Sequence, residues 1–199
     1  MIYIASKRSK LENIQKRFPN AIICDVTSTS NNSLVKLSPF YPHGNIPVPF
    51  SQGVFGVSVE GIWQGLKVFE NEDIDLSYLN NTSMKGIKRT CRKHGRVLGH
   101  RKGVGGKEIL DYQSAKFEIY IPTYKWVLEN KVSSIIDRMR EVVDKNDIVL
   151  LDYNTSENVM DETKPLSHAY LIKAYLLGLV PYGKKQSLKE TTLFDYEEE

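Results

Sequence analysis

The most regular feature of the sequence is an apolar stripe between residues 132 and 145. Its members are Val132, Ile135, Ile136, Met139, Val142 and Val143. Spacings of three and four residues match the 3.6-residue period of an α-helix, and the intervening charged residues occupy the other faces. The stripe predicts an amphipathic helix over residues 132–145, and such a helix needs a second apolar layer to pack against.

Three short apolar runs are candidate strands for that layer: Ile2–Ala5, Ala21–Val26 and Ile148–Leu151. Each is too short for a stable helix and rich in residues that favour strands. Between the first two, a capping-box pattern at Ser9 and Glu12 precedes helical spacing of apolar residues. This region predicts strand, helix, strand, and both a parallel crossover and an antiparallel arrangement remain open.

Further helices are predicted over residues 58–70, 84–93, 110–120, 122–131 and 165–178, with loops over 27–56 and 95–106. Pro122 is expected to separate or kink two of these helices. Because helices outnumber strands, the pattern indicates an α+β fold, mainly helical with a few short strands. The length of 199 residues suits one domain. We expect that domain over residues 1–190, followed by an acidic tail at 191–199.

The cysteine count and the N-terminal sequence limit the classes of protein to which the chain can belong. Cys24 and Cys91 are too few for a disulfide framework, and no metal-ligand spacing is present. No apolar run reaches the length of a bilayer span, and the N-terminus places apolar residues before basic ones, the reverse of a secretory signal. We therefore expect a cytoplasmic protein that needs no membrane, metal or redox cofactor, and whose chemistry is carried by polar side chains.

Two neighbouring segments are the candidates for a site. The long loop contains four prolines and the aromatic residues Phe40, Tyr41, Phe50 and Phe55, which argue against disorder and suggest a packed wall. The following helix carries Glu60, Gln64 and Lys67 at spacings that share one face. This face is interpreted either as an ordinary solvated surface or as the lining of a ligand site. Two glycines in the helix permit close approach of another element or a ligand.

The segment Leu37-Ser38-Pro39-Phe40-Tyr41-Pro42, followed by Glu60-x-x-x-Gln64-x-x-Lys67-x-Phe69, resembles the opening of the NADAR family. Members typically show a Ser-Asn-Phe-Tyr-Pro-like segment and then a helix of the form Glu-x-x-x-Gln-x-x-Lys-Phe. The resemblance implies an α+β NADAR-like fold and hydrolase activity as an N-glycosidase. Such enzymes cleave the bond between ribose C1 and a nitrogen in phosphorylated riboflavin precursors or in ADP-ribosylated guanine. The family is linked to ADP-ribose metabolism and to phage–host conflict.

The resemblance also implies roles for individual residues. Glu60 is the expected catalytic carboxylate with Gln64 and Lys67 beside it, and Phe40 and Tyr41 are expected to stack on the base. Tyr112 stands where the family has a tryptophan in a central helix. A second catalytic acid is expected near the C-terminus, and the choice between Asp152 and Asp161 stays open. Nearby substrate-binding candidates are Asn154 and His168, the latter being either a general acid or base or a packed histidine.

Residues 85–107 contain no acidic residue and many basic ones. This segment is either a solvated positive face or an anion site to which Arg89 and Arg92 contribute. The leading hypothesis is an N-glycosidase whose basic segment holds the phosphate of a nucleotide-like or ADP-ribosyl small molecule, with ADP-ribosylated nucleic acid as a further candidate substrate. The alternative is a non-enzymatic module that binds nucleotide or nucleic acid through this segment. An acyl or phosphoryl transferase is a weaker option, because no nucleophile–base spacing is recognisable.

Overall fold

The computed structural model describes residues 1–182. The predicted tail and the end of the predicted domain therefore lie outside the described residues. In chain order the elements are β1 (Ile2–Ser6), α1 (Leu11–Arg17), β2 (Ile22–Asp25), β3 (Ile46–Pro47), β4 (Phe55–Gly56), α2 (Val59–Gly65), β5 (Lys67–Phe69), α3 (Cys91–His94), β6 (Val97–Arg101), β7 (Ile109–Leu110), α4 (Tyr112–Ala115), α5 (Ile121–Asn130), α6 (Ser133–Val143), β8 (Ile148–Asp152) and α7 (His168–Leu177).

The central sheet has three parallel strands in the order β1-β8-β2. Ile4 and Cys24 both pair with Leu150, so β1 and β2 run in the same direction on either side of β8. The N-terminal unit is therefore a parallel crossover, the first of the two open arrangements. Its helix α1 begins at Leu11 after an N-cap at Lys10 that makes no side-chain bond, so the predicted capping box is wrong.

The apolar layers meet around β8, whose five residues are all buried. Helix α6 buries Ile135, Ile136 and Met139, which confirms the amphipathic helix predicted from its stripe. Helix α7 is confirmed as well. The Ser167 hydroxyl caps its first turn, and Gly178 ends it in a left-handed conformation with φ +63°.

A second sheet, β5-β6-β7, replaces parts of three predicted segments. The predicted helix 58–70 ends at Gly65, β6 lies where a loop was expected, and β7 takes the start of another predicted helix. These strands pair antiparallel, and their inter-strand hydrogen bonds override the local helical spacing. The predicted basic helix shrinks to α3, because the chain adopts positive φ at Met84 and Gly86.

Residues 112–130 form a continuous helical run in which a π-helical turn (Lys116–Tyr120) joins α4 to α5. Pro122 lies in the first turn of α5, directly after the π-helical turn, and the helical run continues through it, so it does not separate two helices. Taken together, the described chain mixes helices with a few short strands, consistent with an α+β fold.

Within residues 1–182, no helix combines the length and the apolar character needed to cross a bilayer.

Candidate active site

Helix α2 is held in place by its own N-cap and by contacts with two other segments of the chain. The Ser58 hydroxyl accepts a hydrogen bond from the N–H of Gly61 (3.0 Å), and the Glu60 N–H donates to the Pro39 carbonyl (2.9 Å). A Cβ at Gly61 would lie 2.6 Å from the Tyr78 carbonyl oxygen, so this glycine allows another segment to pack closely on the helix. These contacts tie α2 to the proline-rich loop and set the direction of Glu60.

The Glu60 carboxyl group is held from one side only. Its Oε1 accepts a hydrogen bond from the Gln64 side-chain NH₂ group at 2.8 Å. The side-chain carbonyl oxygen of Gln64 in turn accepts a hydrogen bond from the backbone N–H of Arg89 at 3.0 Å. Because the Arg89 N–H is a donor, it fixes which end of the Gln64 amide faces Glu60. No residue within 1–182 donates to Oε2 of Glu60, so this oxygen is left for a ligand or water.

Both helix residues face inward as the second interpretation of this face requires. Glu60 is 7% exposed and Gln64 is 4% exposed. Lys67 reaches the same region from β5 instead of the helix. Burial raises the pKa of the Glu60 carboxyl, and the hydrogen bond from Gln64 and the charges of Lys88, Lys67 and His168 only partly oppose it. Burial likewise lowers the pKa of Lys67, against the attraction of Glu60.

Glu60 lies where two cavities of about 310 and 510 Å³ meet. The smaller, which we call the aromatic lobe, is lined by Glu60, Trp63, Gln64, Lys67, Lys88, Arg89, Thr90, Tyr112, Lys116, Tyr120, Pro165 and Leu166. The larger, which we call the polar lobe, is lined by Arg8, Thr27, Ser28, Ser38, Pro39, Phe40, Glu60, Lys88, Tyr120, Asp152, Tyr153, Asn154, Pro165, Leu166 and His168. Both lobes therefore open onto one carboxyl group.

The aromatic lobe combines flat rings with ammonium groups. The Trp63 ring meets Tyr120 edge-on at 5.4 Å and Tyr112 at 6.1 Å. Burial raises the pKa of Tyr120 well above its ordinary value, so its phenol stays protonated. The Lys116 ammonium donates to two backbone carbonyls, whereas Lys67 makes no hydrogen bond or ion pair with residues 1–182. Lys67 is thus a half-buried cation of this lobe that is free to meet an anion.

The polar lobe lies at the carboxyl ends of the three parallel strands. Arg8 follows β1, Thr27 follows β2, and Asp152 ends β8. In open parallel sheets, the loops that follow the strands at this edge commonly form a ligand crevice. The Arg8 guanidinium donates to the Tyr153 carbonyl and lies 5.4 Å from the Tyr153 ring centroid, with no acidic partner in the described part of the chain.

Asp152 and His168 form a buried ion pair at the base of the polar lobe. The His168 Nδ1 lies 2.9 Å from Asp152 Oδ2, and its Nε2 lies 2.9 Å from the Val26 carbonyl oxygen. Both neighbours are acceptors, so the ring is satisfied when both nitrogens carry protons. Burial lowers the pKa of His168, but the hydrogen bond and charge of Asp152, the Val26 carbonyl and the charge of Asp25 together outweigh burial and raise that pKa.

The Asp152 carboxylate is saturated by donors. The Ser167 hydroxyl donates to Oδ2 at 2.6 Å and the Tyr153 N–H donates to Oδ1 at 2.7 Å. Burial raises the pKa of Asp152, yet the bond to His168 and these further donors lower it overall. An ionised carboxylate with filled acceptor positions is suited to holding His168 beside the site, and less suited to taking a proton from a substrate.

The structure brings together most of the residues expected at the site. Phe40, Asn154 and His168 line the polar lobe with Glu60, and Gln64, Lys67 and Tyr112 line the aromatic lobe. Between the two candidate acids, Asp152 lies in the cavity. Asp161 instead accepts the N–H and hydroxyl of Thr163 and lines neither lobe.

Three further expected residues do not serve the cavity as predicted. The Tyr41 ring packs against His43 at 4.8 Å, and Arg92 is exposed on α3, so neither lines a lobe. Arg89 reaches the wall of the aromatic lobe, but its buried guanidinium donates to the carbonyls of Gln64, Lys67 and Asp73. Its role is to join β5 to the helix.

The basic segment 85–107 does not form one anion site. Arg101 pairs with Asp73, and Lys102 pairs with two glutamates. A Cβ at Gly103 would lie 2.3 Å from the Phe50 carbonyl oxygen, so this glycine serves chain packing. Lys88 is the residue of this segment whose ammonium lines both lobes, 5.7 Å from the Phe40 ring centroid.

Sequence reasoning missed several lining residues. Trp63 lies between Glu60 and Gln64 in sequence, so the helical spacing contained the signal for it. No signal marked Tyr120, because it enters the cavity through the π-helical turn, which shifts the direction of side chains along the run. Arg8 reaches the cavity only because β1 pairs with a strand 146 residues later.

No three His, Cys, Asp or Glu side chains within residues 1–182 are grouped as metal ligands would be. The family of unknown function DUF6939 matches residues 6–172, a span from the end of β1 into α7 that includes every residue lining the two lobes. No curated protein matches the sequence.

Proposed function

The chain belongs to the DUF6939 family, and we propose that it is an N-glycosidase. Its substrate is a phosphorylated ribosyl or ADP-ribosyl compound in which ribose C1 is bonded to a base nitrogen. The observation that carries the proposal is Glu60, a buried carboxyl with one oxygen held by Gln64 and the other open to two joined cavities. The resemblance of this segment to the NADAR family supports the same reaction.

The chemistry needs a carboxylate close to C1. Cleavage of a C–N glycosidic bond builds positive charge on the ribose, which an adjacent carboxylate stabilises. Ionised Glu60 accepts a proton from water as the water oxygen bonds to C1. The C1–N bond breaks, its electron pair leaves with the base nitrogen, and a proton from solvent completes the free base. Glu60 then returns its proton to solvent.

The remaining groups position the substrate. Phe40 in the polar lobe offers a ring on which the base stacks, since every nucleobase presents a π-face. Lys67 and Lys88 in the aromatic lobe bind the phosphate attached to the ribose. Tyr120, protonated and shared by both lobes, donates to a sugar oxygen. A binding module using residues 85–107 has less support, because Arg89, Arg101 and Lys102 of that segment are each paired with acidic residues of this chain.

The decisive experiment is Glu60→Gln, with release of free base measured by chromatography. Substrates are ADP-ribosylated guanine oligonucleotide and an aminated, phosphorylated riboflavin precursor. We expect wild-type turnover of at least one of them and a loss of about 100-fold or more in kcat for the variant. The variant should be no less stable at neutral pH, because burial disfavours the ionised Glu60. Glu141→Gln, exposed on α6, is the matched control.

Two results would count against the enzyme. One is a wild-type protein that binds these compounds without releasing base, and the other is full activity in Glu60→Gln. Binding that is insensitive to Glu60→Gln and weakens steeply with salt would instead identify the nucleotide or nucleic-acid binding module.

A further inference from the structure

A third cavity of about 380 Å³ continues from the aromatic lobe. Both cavities are lined by Trp63, Lys67 and Tyr112, so these three residues form the boundary between them. The rest of the lining comes from β6 and from the residue before α4. None of these β6 residues lines either lobe around Glu60.

His100 is the unexplained polar residue of this cavity. It is 1% exposed, and its ring lies against Trp63 with a centroid separation of 3.6 Å. Neither of its ring nitrogens has a hydrogen-bond partner within residues 1–182. Buried polar atoms in proteins are nearly always hydrogen-bonded, and residues 1–182 supply no hydrogen-bond partner for either nitrogen of His100. Burial lowers the pKa of His100 to about 3, and the neutral ring offers one donor and one acceptor.

Lys67 connects this cavity to the site of the proposed reaction. Its ammonium has no hydrogen bond or ion pair with residues 1–182, and it lines both compartments. A cation at such a junction suits phosphate. Beyond it, Val97 and Leu98 are 38% and 45% exposed and add apolar surface beside His100. A flat ring with hydrogen-bonding edges fits apolar walls combined with a neutral imidazole.

We propose that the third cavity is a subsite for a second nucleobase, joined to the scissile ribose through phosphate groups, and that His100 hydrogen-bonds this base. The inference rests on the proposed N-glycosidase function. It selects dinucleotide-like substrates over mononucleotide-like ones: phosphate at Lys67 divides the ligand, with the scissile ribose at Glu60 on one side and the second nucleoside at His100 on the other.

The test compares binding of ADP-ribose and ribose 5-phosphate to the full chain by calorimetry. Wild type should bind ADP-ribose at least about tenfold more tightly, the gain expected of one or two well-placed hydrogen bonds with ring stacking. His100→Phe keeps a ring against Trp63 and removes both nitrogens. It should abolish most of this preference, leave ribose 5-phosphate binding unchanged, and keep or raise the thermal midpoint. Equal affinities in wild type, or an unchanged preference in the variant, would overturn the subsite.

A second variant covers the case in which His100→Phe does not fold. Leu98→Glu places a negative charge at the partly exposed wall of the cavity and should weaken ADP-ribose binding selectively. Leu11→Glu is the matched control, because Leu11 is also an exposed leucine and lines none of the three cavities. Loss of base release in Glu60→Gln does not affect this comparison, so the binding subsite and the hydrolytic activity fail or succeed separately.

Discussion

The Glu60 carboxyl group lies in a buried position, which disfavours the ionised form that the proposed reaction requires. Burial raises its pKa, while the Gln64 amide and nearby cations favour the ionised form. Gln64 can do this because the Arg89 backbone N–H occupies its carbonyl oxygen and leaves its NH₂ group for Glu60. Gln64 therefore orients the proposed catalytic carboxyl group and favours its ionised form, which makes Gln64 a positioning residue.

Gln64→Leu should separate these effects. The Arg89 N–H loses its acceptor, which should cost about 1–3 kcal/mol of unfolding free energy. The pKa of Glu60 should rise further, so the rising limb of the pH profile of kcat/KM should move to higher pH. Urea unfolding and pH–rate profiles measure the two. Gln15→Leu, exposed on α1, is the control. A rate loss with an unshifted pH profile would contradict the positioning role.

The Asp152–His168 pair predicts a defined pH window of stability. The lowered pKa of Asp152 contributes stability above its unfolded value near 4, and this is lost as pH falls through the folded pKa. The raised pKa of His168 contributes stability below its unfolded value near 6.5, and this is lost as pH rises through the folded pKa. Both contributions are complete between about pH 4 and pH 6.5.

Unfolding free energy measured across pH should therefore be greatest in this window for wild type. Asp152→Asn should lower it by about 3–5 kcal/mol, because the buried His168 imidazolium loses the carboxylate that compensates its charge. The variant should also lose the decline in stability above pH 6.5. Parallel pH curves for the two proteins would show that the pair does not titrate as described.

At the scale of elements, α2 is held by its close contact with the segment containing Tyr78. Gly61→Ala would place a Cβ 2.6 Å from a backbone carbonyl oxygen, which cannot move independently of its chain. We expect a loss of about 1–3 kcal/mol of unfolding free energy, and reduced base release because Glu60 moves with the helix. Gly105→Ala, whose Cβ would meet nothing within 4 Å, is the control. Equal stability of the two variants would contradict this account.

Elements also mark where sequence patterns stop being decisive. The stripe of α6 and the terminal signals of α7 predicted those helices, since a long amphipathic pattern and a serine-to-glycine boundary are local features. The β5-β6-β7 sheet could not be predicted in this way. Its strands are two to five residues long, and their stability comes from pairing with other segments, β5 with the later strand β6 and β6 with β7 across a loop.

At the scale of the whole molecule, β8 joins a late segment of the chain to the two N-terminal strands. It lies between β1 and β2, all of its residues are buried, and the site's Asp152 is its last residue. Opening β8 breaks both halves of the parallel sheet at once. Its amides should therefore exchange hydrogen only through global unfolding.

Leu150→Ala should test this cooperativity. Leu150 is fully buried between Ile4 and Cys24, and its truncation should cost about 2–5 kcal/mol. Exchange of β1, β2 and β8 amides should accelerate together, by the factor that this free energy implies. Leu98→Ala, partly exposed on β6, is the control. Faster exchange in β8 alone would show that the sheet does not open as one unit.

The sequence alone determined the polar segment that matters most. Glu60 and Gln64 share a helix face because they lie four residues apart, and Phe40 lies in a proline-braced loop just before them. It also determined a buried strand ending in Asp152. These are local relations, which fix spacing and polarity within one element.

The tertiary structure alone decided what surrounds Glu60. It brought Arg8, Lys88 and His168 from three distant parts of the chain into the cavity that Glu60 lines, left Arg92 and Asp161 outside, and placed Lys67 on a strand. The physical reason is that a cavity is made by the packing of elements against one another. The sequence spacing within any one of them carries no record of which neighbours it will meet.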